Sequence, residues 1–342
     1  MSSRTSALRV YITSRLLLAP LMIWLATTVV FLLMRAAPGD VVDVKLGSRA
    51  PEAVKEAMRI QMGLDQPLYV QYFRYIGKLL RFDLGTSGFT QGKSITQVIG
   101  EFFPATVELT LCGLVIAAVI GLVVGALGAS RPNTALDAGG RLFGIITYSL
   151  PMYWFGMLLQ LIFAVQLGWF PTGARFPIGI IPPDGPTHLY LLDSILRANP
   201  EQFFTALHYL ALPSMTLGVL ISGVFERIVR VNLRQTLKAD YVEAARARGI
   251  SEFRIITAHA LKNAMIPVIT ILGLTFAAML GGAVLTEVTF SWPGLGNRLY
   301  EAISQRDYEM VQGLMVFFSA IVVIVSIAID VLNAYVDPRI RY

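Results

Sequence analysis

The sequence is short of charge. Of its 342 residues only 15% are Asp, Glu, Lys or Arg, where a water-soluble chain carries about a quarter, and 55% are hydrophobic, with a mean hydropathy of +0.63. That balance argues against a soluble enzyme. Cysteine is almost missing: Cys112 stands alone, so no internal disulfide can form. His188, His208 and His259 have no Cys or His partner at ligand spacing, which leaves no recognisable zinc or iron site. The formal charge of +6 comes from 28 Lys and Arg against 22 Asp and Glu. In so apolar a chain it points to cytoplasmic loops of a membrane protein rather than to nucleic acid.

What is present instead is a series of uncharged runs, each close to the ~20 residues a helix needs to cross the hydrocarbon. They predict six spans, over 16–34, 109–130, 142–166, 204–225, 265–286 and 310–330. Lipid leaves no backbone group a water partner, so the spans must be helices, and the expected fold is an all-α polytopic membrane protein. Fifteen Lys and Arg flank the spans on one side against four on the other, leaving aside a long first loop. This bias places the N-terminus (1–15), a loop over 226–264 and the tail (331–342) in the cytoplasm. An insert over 35–108, a Pro-rich loop over 167–201 and a loop over 287–309 are then external. Arg175, in the second of these, is read as a surface position. The N-terminal run has 19 residues and is followed by Arg35 and Pro38, so it is read as an anchor and not as a signal peptide, whose apolar core is ~7–15 residues. In the insert, Pro51 and Pro67 each open an amphipathic segment and predict two short helices.

The chemistry of catalysis is missing. Gly88-Phe89-Thr90-Gln91-Gly92-Lys93-Ser94 ends like a phosphate-binding loop, but three residues stand between its glycines where four are required. No Asp, Glu, Lys or Arg falls inside the uncharged runs that define the spans, the last of which ends at Ile329, just before Asp330. That leaves no mid-membrane group for proton or sodium coupling, and no acid or base for a membrane enzyme. Energy for transport must enter from a partner. Small residues recur at four-residue spacing, Ala117, Gly121 and Gly125 in the second span and Gly273, Ala277 and Gly281 in the fifth, and predict that these two helices pack tightly in the centre.

The loop over 226–264 carries the most information. Asp240-Tyr241-Val242-Glu243 has the form of a capping box with Asp240 as N-cap, and Gly249 can end the helix in a left-handed conformation. This predicts a helix over 241–248 that exposes Tyr241, Val242, Ala244 and Ala245. Ser251 can cap a second helix, running through Phe253, Ile256, Ala260 and Ala264 toward Pro267. A two-turn helix is not stable alone in water. Either a groove on a partner receives it, or it is a linker whose Arg246, Arg248 and Arg254 touch anionic lipid, and the residues alone leave both readings open.

Glu243-Ala244-Ala245, three residues and Gly249 resemble the EAA loop of permease subunits in ATP-binding-cassette importers. Further segments are similar to the dipeptide and oligopeptide branch: Gly63-Leu64-Asp65-Gln66-Pro67-Leu68 with Gln71-Tyr72, Asp83-Leu84-Gly85-Thr86-Ser87, Tyr148-Ser149-Leu150-Pro151, His259-Ala260-Leu261-Lys262-Asn263, Phe290-Ser291-Trp292-Pro293-Gly294-Leu295-Gly296 and Asp337-Pro338-Arg339-Ile340-Arg341. One departure is that the usual Leu-Pro after the glycine reads Leu261-Lys262, with the proline delayed to Pro267, as in the peptide branch.

The resemblance implies a type I importer permease in the bacterial plasma membrane, surrounded by lipid and with no nucleic acid partner. Its implied partners are a second homologous permease, two ATPase subunits and an external solute-binding protein. It implies that Asp240, Tyr241, Val242, Glu243, Ala244, Ala245, Arg246, Arg248 and Gly249 form the helix on which an ATPase docks. ATP and Mg would be bound by the ATPases, with no cofactor, metal or catalysis in this chain. Peptides are the implied solute, with nickel, glutathione or oligosaccharides as alternatives within the family, and a stand-alone channel or secondary carrier as the alternative class. Cysteines placed at Ser48 and at Ala135 should react with an impermeant thiol reagent from opposite sides of the membrane, Ser48→Cys from outside. Labelling of both from one side would overturn the six-span topology.

Overall fold

Helices supply the architecture, as an apolar chain that must pair its backbone internally requires. The computed structural model describes residues 2–36, 41–47, 49–87 and 92–336. Pro38, Ser48, the Gly88-Phe89-Thr90-Gln91 run and the Asp337-Pro338-Arg339-Ile340-Arg341 segment lie outside the described residues. The chain begins with α1 (Ser2–Ala36), then the short α2 (Val41–Leu46), α3 (Glu52–Met62) and α4 (Leu68–Leu79) of the insert. Pro51 and Pro67 stand immediately before α3 and α4, where a missing N–H costs nothing. The long α5 (Ile95–Ser130) follows, then α6 (Ala135–Ser149), α7 (Met152–Leu159), α8 (Tyr190–Leu196) and α9 (Pro200–Thr236). After α9 come α10 (Asp240–Ala247), α11 (Glu252–Arg254), α12 (Leu261–Gly282), α13 (Val284–Thr289), α14 (Leu295–Ser304) and α15 (Tyr308–Val336).

Among the described residues, five stretches are long and apolar enough to cross a membrane: Leu17–Ala36, Ile95–Ser130, Pro200–Thr236, Glu252–Gly281 and Tyr308–Val331. The segment expected as one span over 142–166 is not a single helix. It is a bent pair, α6 and α7, meeting at 102°, with α7 continued by a wide π-helical turn, Gln160–Gln166. The break follows from Pro151. Its ring disfavours the helical region for the residue before it, and Leu150 is extended at φ −78°, ψ 129°.

α5 packs along α9, with α6, α12 and α7 also against α9, while α15 lies between α1 and α12. The core between α5 and α9 holds Leu109, Ala117, Leu210, Leu217 and Phe225, all buried. The small residues of α5 make this contact. A Cβ on Gly121 would fall on Phe225, and one on Gly125 would come within 2.7 Å of the Glu226 carbonyl. The α12 stripe is less uniform than predicted. Gly273 packs against Ile329 and Ala277 is buried, but a Cβ on Gly281 would meet open space among the described residues.

Both α5 and α9 run past the predicted spans, because charges that were expected to end them are neutralised by packing. Ser94 starts α5 through a capping box, accepting from the Gln97 N–H at 3.2 Å while the Gln97 side chain accepts from the Ser94 N–H at 3.2 Å. Further along, Glu108 is buried and accepts two hydrogen bonds from the Arg175 guanidinium, at 3.1 and 2.6 Å. Arg175 is thus no surface residue: it is 7% exposed, donates to the His188 carbonyl at 2.8 Å and stacks 3.6 Å from the Tyr190 ring. Glu287, fully buried, accepts from the Thr106 hydroxyl at 2.7 Å and from the Asn297 N–H at 2.9 Å, while the Trp292 indole donates to the Ala105 carbonyl at 2.9 Å. The Phe290-to-Gly296 segment therefore ties α13 and α14 to α5. Buried ionisable groups thus stand at the edges of the uncharged runs, Glu108 just before 109–130 and Glu287 just after 265–286, and each of these acids is engaged.

Two substitutions test this packing. Gly125→Leu should lower the yield of folded protein recovered from the membrane several-fold, whereas Gly281→Leu should leave it near normal. Arg175→Ala should cost about 3–5 kcal/mol of stability by leaving Glu108 buried and unpaired, read as a lower unfolding midpoint in detergent. Equal yields for the two glycine variants, or an unchanged midpoint for Arg175→Ala, would contradict the contacts described.

Candidate functional site

The end of α9 is held by charge before the chain leaves the bundle. Asp137 of α6, fully buried, pairs with Arg234 at 2.5 Å and with Arg230 at 3.9 Å, and Arg230 also donates to Glu226 at 2.6 Å. Arg234 donates to the Gly128 carbonyl at 3.4 Å. Sequence reasoning placed Arg230 and Arg234 in a loop, and the missing signal was Asp137, about ninety residues earlier in the chain. These contacts fix the last turns of α9 against α5 and α6, and with them the direction in which α10 projects. Between α6 and α9 a cleft of about 630 Å³ opens, walled by the exposed Tyr148 and by Arg227, which has no ion-pair partner among the described residues.

α10 differs from the predicted helix in its start and in its inner face. The helix begins at Asp240, with Ala239 in the N-cap place at φ −77°, ψ 145° and no side-chain cap. The Asp240 and Glu243 capping box is therefore not formed. Both acids lie in the first turn, where they complement the helix dipole. Ser251 likewise makes no side-chain cap; it precedes α11, which passes into a π-helical turn, Ile255–Ala260, and then into α12, so that Pro267 lies inside a helix rather than at its start. Val242 and Ala245 are buried, not exposed. They pack against Ile255, with Leu237 and Ile250 beside them. This apolar contact gives an eight-residue helix the stability it lacks alone.

Gly249 ends α10 as expected, at φ +73°. Its N–H donates to the Arg246 carbonyl at 2.9 Å and the Ile250 N–H to the Ala245 carbonyl at 3.3 Å, the paired bonds of a Schellman turn. A side chain at Gly249 would meet nothing within 4 Å, so what requires glycine is the positive φ and not space. Arg246 donates to both carboxylate oxygens of Glu252, at 2.6 and 3.3 Å, and this partner holds its guanidinium above its ordinary pKa. The Tyr241 hydroxyl accepts from Asn263 of α12 at 2.8 Å.

The outer face is left open. Tyr241, Ala244 and Arg248, at helical spacing, are exposed, and Phe253 beyond them is 79% exposed. A compact helix with its inner face packed on the π-helical turn before α12 and an aromatic and cationic outer face can receive a groove from another protein. Phe253 was assigned to the second helix and not to the site; its signal was an aromatic residue flanked by Glu252 and Arg254, a charged setting that core residues avoid.

A sequence profile of binding-protein-dependent transport system inner membrane components matches residues 97–342, and one for the N-terminal part of such membrane components matches residues 8–110. The chain is 38% identical over 318 residues to the di/tripeptide transport system permease protein DppB of Pseudomonas aeruginosa, covering 92% of this chain and 94% of that protein. It is 40% identical over 312 residues to the probable D,D-dipeptide transport system permease protein DdpB of Escherichia coli, covering 91% and 92%. It is 36% identical over 333 residues to the glutathione transport system permease protein GsiC of Salmonella paratyphi A, covering 97% and 99%.

Proposed function

We propose a function from one premise: the chain belongs to the family of inner membrane components of binding-protein-dependent transport systems. It is a permease, and it carries peptides of a few residues as part of an ATP-driven importer. The hydrolysis belongs to separate ATPase subunits. An external binding protein delivers the solute to the side of the insert, a second homologous permease completes the pathway, and both termini lie in the cytoplasm of a bacterial cell with the α10 loop. The cleft between α6 and α9 is a candidate stretch of the path. One ATPase receives the outer face of α10, with Tyr241, Ala244 and Arg248 as its contacts.

The observation that carries this reading is the two-sided build of α10. Its inner face is packed through Val242 and Ala245 on Ile255, at the start of the π-helical turn that leads into α12, and Tyr241 accepts a bond from Asn263 of α12, while the rest of its outer face is open. A push on α10 therefore moves α12, and the spans switch between inward and outward access by rigid-body rotation. Glutathione is the second reading for the solute, favoured by the relative named for it. A secondary carrier is disfavoured because Glu108, Asp137, Glu226 and Glu287 are each committed to internal partners.

Gly249→Val tests the reading. A β-branched residue adopts positive φ only with strain, on the order of 1–3 kcal/mol, which reduces ATPase docking roughly tenfold. Recovery of the ATPases with the tagged permease, and uptake of labelled dialanine and of labelled glutathione into cells, should fall together with membrane insertion intact. Gly100→Ala, which meets nothing within 4 Å, is the control; Arg175→Ala cannot serve, because Arg175 is buried and paired. Full uptake and full ATPase recovery in Gly249→Val would reduce α10 to a linker.

A further inference from the structure

Two of the sequence segments that the docking loop leaves unexplained, Gly63-Leu64-Asp65-Gln66-Pro67-Leu68 and Asp83-Leu84-Gly85, meet around one cleft. It has a volume of about 90 Å³, room for several waters, and lies where the insert is seated on the ends of α1 and α15. Its walls hold an excess of hydrogen-bond donors. Arg35 spends its Nε on Gln71 Oε1 at 2.9 Å, and its Nη1 is buried without a partner. The Tyr75 hydroxyl and Gln312 Nε2 are also buried without a partner, and Gln312 as a whole is 4% exposed. Arg74 adds a second guanidinium with no ion pair among the described residues. Gly63 leaves the space for it, since a Cβ there would fall on Arg74 Nη1.

Two acids, Glu309 and Asp83, also line the cleft, and neither is hydrogen-bonded to the unpartnered Arg35 Nη1, Tyr75 hydroxyl or Gln312 Nε2. Glu309 faces Lys78 at 3.6 Å and the Thr86 N–H at 3.4 Å, and Asp83 accepts the Gly85 N–H at 2.9 Å. A buried donor without an acceptor is costly, and three residues that wall one small cleft share that condition. A group that satisfies them is small and accepts from several directions, and the guanidiniums of Arg35 and Arg74 on the wall favour one that carries negative charge. A carboxylate has all three properties, and it suits a guanidinium fork.

We propose that this cleft is an anion site that takes a carboxylate group between Arg35, Arg74 and Gln312 and so fastens the insert to the bundle. The carboxylate comes either from a small free anion or from the C-terminal end of a short peptide. The site stands independently of the transport reading, because its occupancy is measured without uptake.

The test is the thermal unfolding midpoint of the purified full-length protein, with the subunits that accompany it, at fixed ionic strength. Acetate is compared with its neutral analogue acetamide, and dialanine with dialanine amide. The midpoint should rise with acetate concentration and not with acetamide, as linkage to the folded state requires. A response to dialanine at far lower concentration than to acetate, absent with the amide, assigns the group to a peptide end; equal responses assign it to a free anion. Gln312→Glu supplies the carboxylate from within and should raise the midpoint while removing the acetate response, and Arg74→Ala should lose that response. Identical midpoints in acetate and acetamide for the unaltered protein, or a full acetate response in both variants, would overturn the proposal.

Discussion

Because Gly121 and Gly125 carry no side chain, α9 lies against α5 at backbone distance, and that approach sets where every charge at the end of α9 falls. A bulkier contact would lift Glu226, Arg230 and Arg234 away from Asp137 and Gly128. With the helices close, the four charges neutralise one another inside the protein, and α9 continues as helix well past the point where its apolar run stops. The same logic operates on α5, where Arg175 reaches in from the 167–189 stretch to meet Glu108. Buried pairs of this kind add little net stability over apolar packing, but they fix geometry, since either partner alone is strongly unfavourable.

That geometry reaches α10 without a flexible joint. From the riveted end of α9 the chain passes through Leu237 to Ala239 into α10, whose inner residues Val242 and Ala245 close on Ile255. The Schellman turn at Gly249 and the Arg246 to Glu252 pair bring the chain back on itself within a few residues. Both strands of the excursion are therefore attached to membrane helices, α9 on one side and α12 on the other. A short helix held at two ends transmits displacement; one on a loose loop would absorb it.

Membrane class and the short helix ended by Gly249 were legible in the sequence, because both rest on local signals: uncharged runs of spanning length, and a glycine at fixed distance from Glu243-Ala244-Ala245. What escaped was tertiary. Glu108 and Arg175 are 67 residues apart, and no local pattern announces that they meet. The exposure of Val242 and Ala245 was misread because their cover, Ile255, belongs to the helix that follows. The cap at Asp240 was displaced by one residue because Ala239 already takes the extended conformation that a cap needs. Pro151 broke the third span although the apolar run continued through it; hydrophobicity specifies depth in a membrane, and backbone sterics specify direction.

The Schellman turn has a consequence for how this segment can vary over time. Each residue of helix turns the next by about 100°, so one residue gained or lost between Tyr241 and Gly249 would rotate the Tyr241, Ala244 and Arg248 row out of step with Val242 and Ala245. Outside the inner pair, Gly249 and the bonded Tyr241 and Arg246, side chains here face open space. The count of residues is not free. The 167–189 stretch has no regular structure of its own and is instead fastened point by point, through Trp169, Thr172, Ala174, Arg175 and Thr187. In the α10 segment the geometry constrains the number of residues as well as their kind.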